Sequence, residues 1–247
     1  MLFKKKRPHQ NPPEQTPEKT RSEYSLAYAQ IDINKIVALL DSSDSKNMTE
    51  ADTCQHFILP FFQAFGWNSG HTHWRSQFRI GRSYKHVDYA FSKQGNSWAF
   101  IEAKRIGIKN IGQNKNFIRQ ISGYFNTSPG AHLIILTNGE EYCFYSYGDE
   151  ENAEICTVPF LRFNIRQIDL TGSARPLCHL FYNDFTLSDW PKYAGMSRAL
   201  AEIRHALRHA PDSLSKQHII EKSFALLYPE LEETERNEWL MFFTVYS

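Results

Sequence analysis

The chain has 247 residues, with 28 Lys and Arg against 27 Asp and Glu; 41% are hydrophobic and 14% aromatic. This composition supplies a sizeable core and excludes wholesale disorder, and the length suits one elaborated domain. No apolar run is long enough to span a bilayer, and the basic start MLFKKKRPHQ lacks the apolar stretch of a secretory signal. Cys54, Cys143, Cys156 and Cys178 form no CxxC pair, which argues against a zinc ribbon or a disulfide framework and makes a reducing cytoplasm the expected location.

Residues 1–23 hold prolines, amides and charges and read as a disordered basic arm, either a solubilising tail or a nucleic-acid contact. Residues 25–40 carry helical spacing at Leu26, Ile31, Ile36, Val37 and Leu40, and DSSDSKN interrupts it. Thr49 and Asp52 form a capping box opening a second helix that ends near Gly66, with Pro60 expected to kink or end it. Strand patterns follow at 77–80, 87–91 and 98–103, with a turn at Gly81 and a hairpin turn at 94–96. A polar helix is predicted over 114–125. A buried strand at 132–137, a tight Asn138-Gly139 turn and a returning strand at 141–146 come next, and residues 157–163 suggest one more strand. From about 171 the pattern is helical, strongest at 197–208 and 218–227. The order of elements implies an α/β core (residues 24–170) built on a mixed sheet flanked by helices, followed by a mainly helical C-terminal extension (171–247).

Charge is unevenly placed. Residues 75–120 contain ten Lys and Arg but only two acids, Asp88 and Glu102, leaving 18 basic and 25 acidic residues elsewhere. A concentrated basic segment is the footprint of a polyanion partner. Asp88 and Glu102 fall on successive predicted strands and can converge across the hairpin. Two carboxylates in a positive field suit a hard divalent cation, whereas the plain alternative is a hydrogen-bonded strand acid and an ion pair of Glu102 with Lys104 or Arg105.

Val87-Asp88 followed by Ile101-Glu102-Ala103-Lys104 resembles the PD-(D/E)XK nuclease motif, with Val87 in place of its proline. Gln120-xxx-Tyr124, Thr137-Asn-Gly139 and the stretch from Glu50 to Trp67 extend the likeness over residues 48–148. That region is similar to the nuclease domain of type I restriction enzyme R subunits, and the resemblance implies a restriction-endonuclease-like core. No GxxxxGK[ST] loop of a helicase motor occurs.

The resemblance further implies that Asp88, Glu102 and the Ala103 carbonyl hold Mg²⁺, with Mn²⁺ as a substitute. Glu50 completes the site from the preceding helix, and Lys104 sits beside the attacking water. Asp52 is the competing candidate for the role of Glu50, but its offset from Thr49 suits capping. Lys104 and Glu102, two apart on a strand, share a face, as do Gln120 and Tyr124, four apart on a helix. Gln120 and Tyr124 either support the site or form a solvated face with Tyr124 packed on the sheet. Arg79, Arg82, Lys85, Arg105, Lys109, Lys115 and Arg119 are expected phosphate contacts.

His71-Thr-His73 lacks neighbouring ligands for zinc. His205 and His209 lack the HExxH glutamate, and no GxSxG nucleophile signature occurs. The expected function is a Mg²⁺-dependent restriction-type endonuclease acting on DNA in defence. The alternatives are a nucleic-acid-binding subunit with a conditional or inactive site in a larger defence complex, and a ribonuclease. Residues 171–247, acidic in balance, are the expected contact for a second copy or a protein partner.

Overall fold

A computed structural model of the chain describes residues 19–42, 45, 47–67, 74–81, 85–92, 98–128, 130–146, 157–208 and 213–246. Helix α1 (Lys19–Leu40) leads to α2 (Glu50–Thr53), a π turn (Cys54–Ile58) and α3 (Leu59–Ala64). Strands β1 (Trp74–Arg79), β2 (His86–Phe91) and β3 (Trp98–Ala103) precede α4 (Lys115–Thr127). Strands β4 (Ala131–Thr137), β5 (Glu141–Tyr145) and β6 (Leu161–Asn164) follow, then α5 (Asp189–Ala206), α6 (Ser213–Leu227) and α7 (Glu233–Tyr246). The strands form one mixed sheet in the order β1-β2-β3-β4-β5-β6, antiparallel except for the parallel β3–β4 pair, which α4 connects.

The central strands are buried on both faces, and successive residues serve two cores. On β3, Ala99 and Ile101 face the larger core and Phe100 the smaller; on β5, Tyr142 and Phe144 face one and Cys143 and Tyr145 the other. The smaller core is sealed by Ile121, Tyr124 and Phe125 of α4. The larger one takes Leu26 and Ile33 of α1, Phe61 and Phe62 of α3, and Trp190, Leu200, Trp239 and Phe243 of the C-terminal helices.

The coarse α/β reading with a mixed sheet and flanking helices therefore holds, with corrections. Helix α1 begins at Lys19, inside the segment read as a disordered arm. Ile31, expected in the core, is 51% exposed, and Ile33 and Ala29 point inward instead. The helical C-terminal residues close one apolar face of the sheet, and Trp67 Nε1 donates to the Leu180 carbonyl at 2.8 Å. Pro60 neither ends nor breaks its helix. Winding loosens to π over Cys54–Ile58, with Leu59 N–H donating to the Cys54 carbonyl, and returns to α around the proline. The 94–96 turn, His71, His73, Arg82, Cys156 and His209 lie outside the described residues. Cys54, Cys143 and Cys178 are free thiols. No helix among the described residues is long and apolar enough to cross a membrane.

The Asn138-Gly139 turn has a second duty. Asn138 Oδ1 accepts from the N–H groups of Glu140 and Glu141 (3.0 and 2.6 Å), and Gly139 adopts φ +82°. A Cβ on Gly139 would lie 2.7 Å from Phe57 Cβ, so the bare backbone is what lets the hairpin seat against the π turn. Gly139→Ala combines a disfavoured φ with that clash and is expected to lower unfolding stability by about 2 kcal/mol or more. Chemical denaturation measures this; an unchanged midpoint would show that the turn does not brace the helix.

Candidate active site

The site grows from the hairpin of β2 and β3. Tyr89 pairs with Ile101, so continuing the register by one residue sets Asp88 beside Glu102. The Ala103 N–H donates to Asp88 Oδ2 at 2.8 Å, which fixes the aspartate against the end of β3. Lys104 extends the ladder, its N–H donating to the Thr137 carbonyl at 2.8 Å, and returns its side chain to the face that carries Glu102. The Lys104 Nζ stands 2.5 Å from Glu102 Oε1 and 5.0 Å from the centroid of the Phe117 ring.

Helix α4 meets this pair from the other side. Asn114 caps it, accepting from the N–H groups of Asn116 and Phe117. One turn on, Gln120 Nε2 donates to Glu102 Oε1 at 2.7 Å; one turn further, the Tyr124 hydroxyl donates to Glu102 Oε2 at 2.8 Å. Gln120 Nε2 also lies 2.6 Å from the Tyr124 hydroxyl. The Tyr124 ring is buried in the smaller core, and its hydroxyl reaches the acid.

Glu50 arrives on α2. Thr49 and Asp52 make a full capping box, which commits Asp52 to its own helix and leaves Glu50 facing the hairpin. Thr53 then ties α2 down: its hydroxyl donates to the Thr49 carbonyl (2.8 Å) and accepts from the Ile106 N–H (3.0 Å), just past Lys104. The result is an open cavity of about 450 Å³ lined by Glu50, Cys54, Gln55, Gln77, Asp88 and Tyr89, among others.

The charges of this group act on one another. Glu102 is 4% exposed and Lys104 8%. Burial, the largest influence, raises the Glu102 carboxyl above its ordinary 4.5; Lys104 opposes the rise and Asp88 adds to it. Glu50, although exposed overall, is also raised, first by desolvation of its carboxyl, with Lys104 pulling down and Asp88 pushing up. The Cys54 thiol beside them is pushed up to about 11, chiefly by burial. Asp88 thus acts on Glu50, Cys54 and Glu102 alike, and the sequence-predicted acids converge on one place.

Among the described residues, no group of three or more His, Cys, Asp or Glu side chains is arranged to hold a metal ion. The Glu102 oxygens face Lys104, Gln120 and Tyr124, and Asp88 Oδ2 faces the Ala103 N–H.

Of the expected phosphate contacts, Arg79, Lys85, Arg105, Lys109, Lys115 and Arg119 are all exposed. They sit on β1, before β2, in the β3–α4 connection and on the first turns of α4, the elements that carry the site. Four contributors were not read from the sequence: Thr53, Phe117, Tyr89 and Gln77. Gln77 has φ +48° and donates to Asp88 Oδ1 at 3.2 Å. A left-handed non-glycine residue costs about 1 kcal/mol, and no side-chain pattern announces one.

No family model, curated protein or solved structure matches the chain.

The raised Glu102 carboxyl has a measurable sign. A carboxyl that holds its proton more tightly folded than unfolded contributes stability that is lost as pH rises from its unfolded value of 4.5 through the raised folded value. Wild-type stability relative to Glu102→Gln should therefore fall across that window in denaturant melts between about pH 4 and pH 7. A difference that stays flat would contradict the assignment of burial as the dominant influence.

Proposed function

We infer that this chain is a Mg²⁺-dependent endonuclease of the PD-(D/E)XK type, hydrolysing DNA phosphodiester bonds, with a restriction-type role in defence against foreign DNA. The observation that carries the reading is the convergence of five side chains on one sheet end. Asp88 lies across from Glu102, Lys104 lies on the Glu102 carboxylate, and Gln120 and Tyr124 meet that carboxylate from α4. A D…ExK…QxxxY series occurs by chance in sequence; its members meeting around one buried acid is a stronger coincidence. The antiparallel β2–β3 hairpin joined through α4 to a parallel β4 supports the restriction-endonuclease-like core. The defence role rests on the resemblance to restriction enzyme R subunits.

The donor set suits a hard cation. The carboxylates of Glu50, Asp88 and Glu102 and the Ala103 carbonyl are all oxygen donors, and the charge of Asp88 disfavours ionisation of both Glu50 and Glu102. Mg²⁺ takes one or two carboxylates and completes its shell with water and phosphate oxygens, so Asp88 and Glu102 with the Ala103 carbonyl would hold it without a third ligand side chain. Such an ion, when bound, activates water and stabilises the leaving oxygen.

The protein's own part is positioning. Gln120 and Tyr124 fix the Glu102 carboxylate, and the Ala103 N–H fixes Asp88. Lys104, held between Glu102 and the Phe117 ring, orients a water and offsets negative charge growing on the phosphate. The exposed Lys109, Lys115 and Arg119 attract the backbone of the nucleic acid without reading its sequence.

Supercoiled plasmid incubated with the full chain and Mg²⁺ or Mn²⁺ should be nicked or linearised, and EDTA should stop it. Asp88→Ala, Glu102→Ala and Lys104→Ala should each lower the rate by at least about a hundredfold while keeping a wild-type circular dichroism spectrum. Undiminished cutting by Glu102→Ala would overturn the reading. Cleavage of labelled RNA but not DNA would replace the substrate, and binding without cleavage under any metal would replace the enzyme with a binding subunit.

A further inference from the structure

Gln77 holds a position that the fold would fill most cheaply with glycine. Strand β1 pairs with β2 on both sides of it, Ser76 with Tyr89 and Phe78 with Val87, which places Gln77 opposite Asp88. Residues four apart on a regular strand share a face. Trp74, however, packs on the larger core and Phe78 on the smaller. The strand changes face between them, and φ +48° at Gln77 is where it does so. Glycine adopts that conformation freely and any other residue is disfavoured. The residue present is glutamine, exposed to solvent, and its amide reaches Asp88 Oδ1 at 3.2 Å while the Ala103 N–H holds Oδ2 at 2.8 Å.

The geometry points to Gln77 as a positioning residue for metal binding: with the Ala103 N–H it grips both oxygens of Asp88 and sets the plane in which that carboxylate meets a divalent cation. The inference rests on the metal-dependent reading of the same site and adds a residue to it. A carboxylate oxygen has two lone pairs, so accepting from Gln77 leaves Oδ1 able to serve a cation. Outer hydrogen bonds of this kind orient a ligand and raise affinity. Gln77 also lines the cavity that Glu50 and Asp88 share, so its amide acts from the open side where a cation and a phosphate would enter.

Glycine at this position separates the two roles, because it keeps the change of face and removes the amide. Mn²⁺ binding to the full chain is followed by titration calorimetry, beside thermal melts without metal. Gln77→Gly should weaken Mn²⁺ binding by about tenfold with a melting temperature no lower than wild type. Gln77→Met, which keeps the length and loses the donor, should weaken binding to a similar degree. Unchanged Mn²⁺ affinity in Gln77→Gly would overturn the role, as would a loss of affinity accompanied by a lower melting temperature. Asp88→Ala serves as the reference: if it abolishes uptake while Gln77→Gly does not disturb it, the metal reading stands and the role of Gln77 falls. No Mn²⁺ uptake by the wild type would overturn both.

Discussion

The buried ion pair of Glu102 and Lys104 is the constraint around which the site is assembled. Taking two charges out of water costs several kcal/mol per ion, and the Coulomb attraction between them recovers this only with good geometry and further hydrogen bonds. Helix α4 supplies those bonds: Gln120 donates to Glu102 Oε1 beside Lys104 and the Tyr124 hydroxyl donates to Oε2, while the nearby Asp88, held by the Ala103 N–H, works against the Glu102 charge. Even so, burial wins and the Glu102 carboxyl is raised. An apolar pair of similar volume would serve the core at least as well, so stability is a weak reason for these residues to be charged. A chemical role is the better one.

The rest of the fold holds that arrangement in place. Helix α4 seals the smaller core with Ile121, Tyr124 and Phe125, so the residues that orient Glu102 are fixed by packing on the same helix. Helix α2 is tied through Thr53 to the Ile106 N–H, and the Gly139 backbone packs close to Thr53 and Phe57, with Glu50 lining the cavity at the start of the same helix. The C-terminal helices complete the larger core beneath the opposite face of the sheet. Their aromatic residues Trp190, Trp239, Phe242 and Phe243 are buried in that core.

Much of this was legible in the sequence, because it depends on local rules. The apolar run Trp98–Ala103, the Thr49–Asp52 capping box, the Asn114 start of α4 and the Asn138-Gly139 turn each carry a short-range signal. The structure places them where those signals indicate. Strand alternation put Glu102 and Lys104 on one face and allowed Asp88 to approach Glu102, and helical spacing put Gln120 and Tyr124 on one face; that these faces meet was implied only by the family resemblance. What escaped depends on tertiary context. The π turn around Pro60 is a response to packing, and Ile31 and Ile33 exchanged places because helical spacing alone leaves the phase of a helix open. Helix α7, with its consecutive aromatic residues, carries too diffuse a pattern to be read as an element. The left-handed Gln77 has no signature, since its conformation answers to two cores on opposite faces of one sheet.

On the proposed reading, the buried charges at the end of β3 serve chemistry and not stability. The double variant Glu102→Met/Lys104→Met tests it most directly, because it removes both charges together and leaves no unpaired ion. Metal-dependent plasmid cleavage and unfolding stability are measured on the same preparation. Cleavage is expected to be abolished while stability equals or exceeds that of the wild type. Cleavage that survives the double substitution would contradict that reading.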